Sequence, residues 1–256
     1  MDSRNILIDL AYDGSDFHGW QVQRQERTVQ GELERALADL HGSRITVHAA
    51  GRTDSGVHAD QQRVNFRSPM ASIPAERFRE ALNSRLPLDM RVLRSREVPQ
   101  RFHARYDAVL RIYEYQLLVS PVQIPRYRNH CHRINRNPDI ALLNRIVARL
   151  LGEHDFSSLG MPPKDGGHCV RRVESAVFFP RPPFLVFRVA ANAFLWKMVR
   201  TIVGTVLALE AGDPACAEAE FVDILQARDR SRAQRAAPGR GLFLYKVLYH
   251  ESFALD

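Results

Sequence analysis

Residues 50–59 read Ala50-Gly51-Arg52-Thr53-Asp54-Ser55-Gly56-Val57-His58-Ala59 and place one carboxylate among small, flexible and basic neighbours. The preceding run, residues 44–49, is rich in β-branched side chains and predicts a strand, so the decapeptide is a loop at that strand's end. Catalytic groups often lie on such loops. Gly51 and Gly56 allow backbone angles closed to other residues and let a flat substrate approach the main chain. The stretch therefore predicts a strand and loop that carry one candidate catalytic residue, Asp54.

Arg52 lies two residues before Asp54. Its guanidinium can hold the carboxylate ionised by Coulombic attraction, or it can bind an anionic phosphate. Asp54 could instead have a purely structural role, because Asp in a Gly-rich loop often caps a turn or a helix through its side chain. These residues alone leave both interpretations open.

Outward from the loop, strand-like runs alternate with amphipathic helices. Thr28 is typical of an N-cap and predicts a helix over residues 28–40. Strands joined both directly and through helices imply α+β architecture, with helices covering one face of largely antiparallel sheets. Residues 120–125 and 160–167 are predicted to be long loops. The other predictions are helices after Pro74 and over 139–151, 194–211 and 221–227, and strands over 6–10, 61–67, around Val92, and over 108–119, 170–179, 184–190 and 242–249.

The charge of the chain favours a polyanionic partner. The 256 residues carry a net charge of +7, and the sequence pI is about 9.7. Of the 36 basic residues only Lys164, Lys197 and Lys246 are lysines, so 33 are Arg, whose fork suits phosphates and whose plane stacks on bases. Genomic codon bias would also replace Lys by Arg, but it leaves the electrostatic argument in place.

The cysteines and histidines give little support for a metal site or for disulfides. Cys131, Cys169 and Cys216 form no Cys-x-x-Cys pair and cannot all pair with one another, which favours a reducing cytosol. The motifs His130-Cys131-His132 and His168-Cys169 lack structural-zinc spacing. The N-terminal residues lack the apolar run of a signal peptide, and no stretch is long and apolar enough to span a bilayer. We expect a soluble, cytoplasmic protein without a membrane association.

Several motifs, in order along nearly the whole chain, resemble the tRNA pseudouridine synthase A (TruA) family. The signature is Gly51-Arg52-Thr53-Asp54-Ser55-Gly56-Val57-His58, with Ser55 where the family usually has Ala. The others are Tyr12-Asp13-Gly14, Gly19-Trp20-Gln21, Thr28-Val29-Gln30, Asn83 with Leu86-Pro87, Phe102-His103-Ala104-Arg105, Arg111-Ile112-Tyr113-Glu114-Tyr115, Gly152-Glu153-His154-Asp155-Phe156, Ala191-Asn192-Ala193-Phe194, Met198-Val199-Arg200 and Gly241-Leu242-Phe243-Leu244.

The resemblance implies two similar α+β halves that enclose a central basic cleft. We place the boundary near the Phe102-His103-Ala104-Arg105 motif. This gives an N-terminal half over residues 1–103 with the catalytic loop and a C-terminal half over residues 104–256. The implied reaction converts uridine to pseudouridine on the 3′ side of the tRNA anticodon arm, with no cofactor and no metal. The implied assembly is a homodimer that binds tRNA.

The resemblance also assigns roles to residues. Asp54 would be the nucleophile, attacking C1′ of the ribose or C6 of the base, or would abstract a ribose proton. Tyr113 would lie against the flipped uracil, whereas Tyr115, on the same strand face, would be structural. Arg200 would pair with Asp54, unless it is an exposed surface Arg. Arg52 would contact the displaced phosphate or fill the vacated space, and Leu244 would line the uracil pocket unless it simply packs in the core.

Two other classes of protein share parts of the pattern. Asp54-Ser55-Gly56 resembles an aspartic-protease signature, but paired aspartates share a proton in apolar surroundings, and Arg52 favours full ionisation instead. The chain has no second such tripeptide. A non-catalytic RNA-binding protein would fit the charge, but it would give Asp54 no function.

Overall fold

The computed structural model describes residues 3–162, 166–253 and 255. In these ranges the strands are β1 Arg4–Tyr12, β2 Val47–Ala49, β3 His58–Ser68, β4 Met90–Val98, β5 Ala108–Val119, β6 His132–Ile134, β7 Gly152–Asp155, β8 Val170–Arg181, β9 Phe184–Ala191 and β10 Leu242–Tyr249. The helices are α1 Val29–His41, α2 Phe78–Asn83, α3 Ile140–Ala148, α4 Met198–Glu210 and α5 Ala217–Ala227, and short 3₁₀ turns lie between them.

The chain forms two compact units. Unit 1 comprises residues 1–111 and 244–256, and unit 2 comprises residues 112–243. The divisions fall inside β5 and inside β10. The boundary between residues 103 and 104 expected from the sequence stays a prediction.

Unit 1 is built on strands in the order β4-β1-β3-β10, with β2 paired to β3. Strand β1 is antiparallel to β3 and β4, and β2 is antiparallel to β3. Residues Ile6, Leu7 and Ile8 are consecutive and fully buried, so both faces of β1 are covered. Helix α1 buries its apolar face, including Leu33 and Leu37, and Thr28 caps it by accepting a bond from the Gly31 N–H. The predicted capped helix is therefore confirmed.

Unit 1 encloses a charged cluster to which Tyr249 and Leu255, from the end of the described chain, contribute. Asp9 and Arg63 are each 1% exposed, and Arg63 Nε lies 3.2 Å from Asp9 Oδ1. The Leu255 carbonyl accepts bonds from Arg63 Nη2 at 3.0 Å and from Arg96 Nη1 at 2.7 Å. The Tyr249 hydroxyl donates to the Ala104 carbonyl at 2.7 Å. A buried charge left without partners is strongly destabilising, so these late residues are part of the structure of unit 1.

Unit 2 has strands in the order β5-β9-β8-β7, and β6 runs parallel to β5. The β7–β8 and β8–β9 pairs are antiparallel. Helix α3 begins after its N-cap Asp139 and is tied to β8, where the Asn144 side chain bonds both the N–H and the carbonyl of Phe178. Both units combine helices with mainly antiparallel strands, which confirms the predicted α+β class.

Most predicted elements are present, but several helices differ in their bounds. Helix α5, predicted over 221–227, begins at Ala217, and α3, predicted over 139–151, ends at Ala148. The predicted helix after Pro74 is a 3₁₀ turn followed by the short α2. The helix predicted over 194–211 begins only at Met198, because residues 192–197, hereafter the pre-helix segment, are irregular and end at Lys197 with φ 60° and ψ 8°. In the predicted loop 160–167, residues 163–165 lie outside the described residues. Among the described helices, none combines the length and the hydropathy that crossing a bilayer requires.

Candidate active site

The loop that carries Asp54 connects β2 to β3 and comprises residues 50–57, hereafter the Asp54 loop. Strand β2 is shorter than predicted, and His58 and Ala59 belong to β3. The Ala50 N–H donates to the Arg63 carbonyl at 2.8 Å, which extends the strand pairing into the loop. The Gln62 side chain bonds both the N–H and the carbonyl of Gly51, at 3.3 and 2.8 Å. The first residues of the loop are therefore fixed to β3.

The residues around Asp54 are held mainly through the backbone. Thr53 is 6% exposed, its hydroxyl lies 2.8 Å from the Tyr12 hydroxyl, and its carbonyl accepts from the Trp20 N–H at 3.0 Å. The Asp54 carbonyl accepts from the Val57 N–H at 3.2 Å and closes a turn in which Gly56 has φ 72°. A positive φ is easily adopted only by Gly. Asp54 thus starts a tight turn, with its side chain half-buried.

Two glycines pack against this turn at distances that exclude a side chain. A Cβ on Gly14 would lie 2.1 Å from the Val57 carbonyl oxygen, and one on Gly19 would lie 2.8 Å from the Thr53 carbonyl oxygen. Gly19 also has φ 84°. In addition, the Gly14 N–H donates to His58 Nδ1 at 3.0 Å. The motifs Tyr12-Asp13-Gly14 and Gly19-Trp20 therefore form the surface on which the Asp54 loop rests.

The two motifs are visible in the sequence, but their supporting role is not. Their contribution is backbone proximity over a long sequence separation, and no local pattern reveals it. The strongest available signal was the choice of Gly at positions 14 and 19, which suggests a close approach of two backbones.

Within unit 1 the structure places two further predicted site residues. Arg52 lies in the Asp54 loop and its side chain is exposed. Leu244 lies in β10 and is fully buried. The burial of Leu244 is what core packing requires, so its role as a pocket wall stays a prediction.

Tyr113 lies in the part of β5 that belongs to unit 2. It is 8% exposed, and its ring meets Phe194 edge-to-face with centroids 5.0 Å apart. Tyr115 lies two residues further along, and its hydroxyl donates to the Pro238 carbonyl at 2.8 Å. Burial raises the pKa of the Tyr115 hydroxyl. The structure thus gives Tyr115 a packing role. It also places Phe194, which belongs to a family motif but received no role from the sequence, against Tyr113.

Arg200 lies in the first turn of α4, because the helix begins at Met198 and not at Phe194 as predicted. Its Nε donates to the Ala237 carbonyl at 2.7 Å, and the Ala237 N–H donates back to the Arg200 carbonyl at 2.9 Å. These two bonds fix both the side chain and the backbone of Arg200 to one segment of unit 2. Such a fixed guanidinium is a positioned cation rather than a mobile surface charge.

Known proteins match this chain in both units. The sequence profile described as tRNA pseudouridine synthase matches residues 10–107 and 146–250. A tRNA pseudouridine synthase A of Treponema denticola is 42% identical over 255 residues, covering 98% of this chain and 94% of the relative.

Two further proteins of that name agree. The protein of Halalkalibacterium halodurans is 42% identical over 240 residues, covering 93% of this chain and 90% of the relative. The protein of Anoxybacillus flavithermus is 40% identical over 247 residues, covering 96% and 99%. The identities are high over nearly the full length of each protein, and the signature around Asp54 lies on a loop that backbone contacts hold in place. The chain therefore belongs to the tRNA pseudouridine synthase A family.

Proposed function

We propose that this protein isomerises uridine to pseudouridine in tRNA, on the 3′ side of the anticodon arm, with Asp54 as the nucleophile. Its membership of the family and the construction of the Asp54 loop support the proposal. The observation that carries it is the half-buried Asp54 at the start of a turn held by backbone bonds and by two glycines without room for a side chain.

The reaction needs only groups that this chain supplies. The N1–C1′ bond breaks, the uracil turns, and C5 bonds to C1′. C5 then loses its proton and N1 gains one, so no electrons are gained or lost and no water is consumed overall. A carboxylate is a sufficient nucleophile for such a transfer. Attack at C1′, attack at C6 and abstraction of a ribose proton are the three routes that an aspartate offers.

The target nucleotide must leave its stack before Asp54 can reach it, at a cost of a few kcal/mol. Binding energy from elsewhere must offset that cost. In this proposal Tyr113 stacks on the uracil, Arg52 and Arg200 bind anionic parts of the substrate, and Leu244 lines the uracil pocket. The exposed Arg52, two residues from Asp54, is suited to a displaced phosphate.

The distribution of charge supports an RNA substrate. Unit 2 contains 18 Lys and Arg against 12 Asp and Glu, a net charge of +6, whereas unit 1 has 18 against 17, a net charge of +1. A basic unit attracts the phosphate backbone irrespective of base sequence. We also propose that the protein acts as a homodimer in the cytoplasm, as the family resemblance implies.

The test is a modification assay on unmodified tRNA transcripts, with mass-spectrometric mapping of the altered uridines. We expect Asp54→Asn to bind tRNA as the parent does and to lose activity by on the order of a thousandfold or more. The matched control is Asp16→Asn, which removes an exposed carboxylate from the neighbouring 3₁₀ turn and should leave the rate unchanged.

Three results would contradict the proposal. An Asp54→Asn variant with the parent rate would remove the proposed nucleophile. A parent protein that binds tRNA without making pseudouridine would be an RNA-binding protein. Modified uridines outside the anticodon arm would leave the reaction but overturn the assigned position.

A further inference from the structure

Trp196 is the exposed aromatic residue of the pre-helix segment. Trp196 is 50% exposed, whereas the other tryptophan of the chain, Trp20, is 3% exposed. Isolated exposed apolar residues are common in soluble proteins and need no function. Trp196 differs because the segment around it is fixed by unusual contacts and lies beside residues of the proposed site.

The backbone at Trp196 is anchored on both sides. The Met161 N–H donates to the Trp196 carbonyl at 3.0 Å in an isolated antiparallel bridge. One residue before, a Cβ on Gly160 would lie 2.6 Å from Leu195 Cβ, so Gly160 permits this close approach. One residue after, Lys197 adopts a left-handed conformation with φ 60°. Non-glycine residues in this conformation persist only where surrounding contacts impose it, and they are concentrated at functional sites.

The exposed indole has an apolar neighbour and a cation. Residues directly opposite in an antiparallel bridge project to the same side, which places Met161, 39% exposed, beside Trp196. The Lys197 ammonium lies over the indole ring, with Nζ 4.4 Å from the ring centroid. We call Trp196, Met161 and Lys197 the indole platform. It offers a flat apolar surface next to a positive charge, which is the combination that binds a nucleobase and its phosphate.

The platform is continuous along the chain with the proposed substrate-binding residues of unit 2. Phe194, two residues before Trp196, contacts the Tyr113 ring, and Arg200 follows Trp196 by four residues. The unit that bears the platform also carries the +6 net charge. A nucleic acid attracted by that charge would supply unpaired bases, and an exposed indole stacks on any base without reading its sequence.

We propose that the indole platform stacks against an unpaired nucleobase of the tRNA substrate, a base other than the target uridine, and so positions the RNA for the reaction. This inference rests on the proposed function. Trp196 is a positioning residue here, since it contributes binding and takes no part in the bond changes. It should therefore affect KM and Kd for tRNA far more than kcat.

Tryptophan fluorescence tests the stacking directly. Adding unmodified tRNA transcript should quench the emission of the parent protein, and that quenching should be absent in Trp196→Phe, which retains the buried Trp20. Quenching of equal size in the two proteins would assign it to Trp20 and overturn the proposal. Parent emission that changes with protein concentration in the absence of RNA, together with no such change in Trp196→Phe, would mean that a second copy covers the platform, which would also overturn the proposal.

Binding and kinetics form the second arm. Trp196→Ala should raise Kd and KM for tRNA by about tenfold, because loss of stacking on one base has effects of this order. Trp196→Phe keeps a ring and should raise them by less than about threefold. The matched control is Val122→Ala, which truncates an apolar side chain of unit 2 that is also exposed. It should change neither constant.

The outcomes separate this inference from the proposed function. A Trp196→Ala variant with the parent's Kd and KM, or one whose kcat and melting temperature fall while KM is unchanged, overturns the inference and leaves pseudouridine formation by the parent untouched. A parent protein that shows Trp196-dependent quenching yet makes no pseudouridine overturns the proposed function and retains the platform.

Discussion

The Asp54 loop and the pre-helix segment hold their functional groups in different ways. The Asp54 loop rests on backbone atoms: Thr53 bonds the Trp20 N–H, and Gly14 and Gly19 approach without side chains. The pre-helix segment is fixed by ring contacts and a bridge, and it leaves Trp196 half exposed. From this difference we expect the backbone around Asp54 to tolerate almost no displacement. The pre-helix segment of the basic unit 2, in contrast, exposes a side chain that is suited to binding RNA.

The largest expected effect in this comparison is at Gly14. Gly14→Ala forces a Cβ to within 2.1 Å of the Val57 carbonyl oxygen, so the backbone of the Asp54 loop must move. We expect unfolding free energy to fall by a few kcal/mol and pseudouridine formation to fall by more than about a hundredfold. Urea unfolding and the modification assay measure the two effects.

The control for Gly14 is Gly212→Ala, where the nearest atom to the new Cβ is 3.4 Å away. It should fold and react as the parent does. A Gly14→Ala protein of parent stability and activity would mean that the loop is not held by close backbone approach.

Arg200 should give the next largest effect. Arg200→Ala removes a guanidinium whose Nε bonds the Ala237 carbonyl at 2.7 Å, and we expect kcat/KM to fall by about tenfold to a hundredfold. Arg200→Lys keeps the charge but loses the planar fork, so it should recover only part of the activity. Steady-state kinetics on tRNA transcripts distinguish the variants.

Arg172→Ala serves as the control for Arg200, because its guanidinium pairs with Glu174 on the surface of the same unit. It should react like the parent. If Arg200→Ala also kept the parent's kcat/KM, Arg200 would have no part in the site.

The charge asymmetry between the units predicts a third difference. The double variant Arg232→Glu/Arg235→Glu reverses two exposed charges of unit 2, and Arg24→Glu/Arg77→Glu does the same in unit 1. We expect the unit 2 variant to raise Kd for tRNA about tenfold and to flatten its dependence on salt, because each lost phosphate contact lowers the slope by about one.

The unit 1 variant should change Kd by less than about threefold. Binding titrations at several salt concentrations measure both. Equal effects in the two units would show that the RNA does not discriminate between them, and binding that is independent of salt in the parent would contradict a phosphate-dominated interface.

The smallest expected effect is at the cap of α1. Thr28→Ala removes the bond from the Gly31 N–H and should lower the free energy of unfolding by about 1 kcal/mol, with activity changed by less than about twofold. Thr28→Ser keeps a hydroxyl and should lose less. Urea denaturation provides the measurement, and a large loss of activity in Thr28→Ala would link the cap to the Asp54 loop.

Elements with strong local signals were predictable from the sequence. Strands β5 and β10 have the predicted bounds, and α1 begins after Thr28, because alternation, apolar periodicity and an N-cap residue are all local. Helix α4 begins four residues later than expected. Its apolar composition continues back to Phe194, but the bridge from Met161 and the close contact with Gly160 fix those residues in another conformation, and both contacts come from a distant segment.

The site shows the same limit. The sequence placed Asp54 on a loop after a strand and identified the family, because both depend on a contiguous signature. It did not reveal that Tyr12, Gly14 and Gly19 support that loop, nor that Phe194 packs on Tyr113, since these contacts join residues that are distant in sequence. The assigned roles of Asp54, Arg52, Tyr113, Arg200 and Leu244 stay predictions until the variants are measured.

The contribution of β10 and Leu255 to unit 1 has a consequence for the synthesis of the protein. The Arg63 guanidinium is buried with Asp9 and bonds the Leu255 carbonyl, so its final partners are translated after all of residues 112–243. At elongation rates of about 5–20 residues per second, on the order of ten seconds pass between the synthesis of residue 111 and that of residue 244. During that interval unit 1, which carries Asp54, lacks β10. A polypeptide released after translation stops within residues 112–243 therefore cannot complete unit 1.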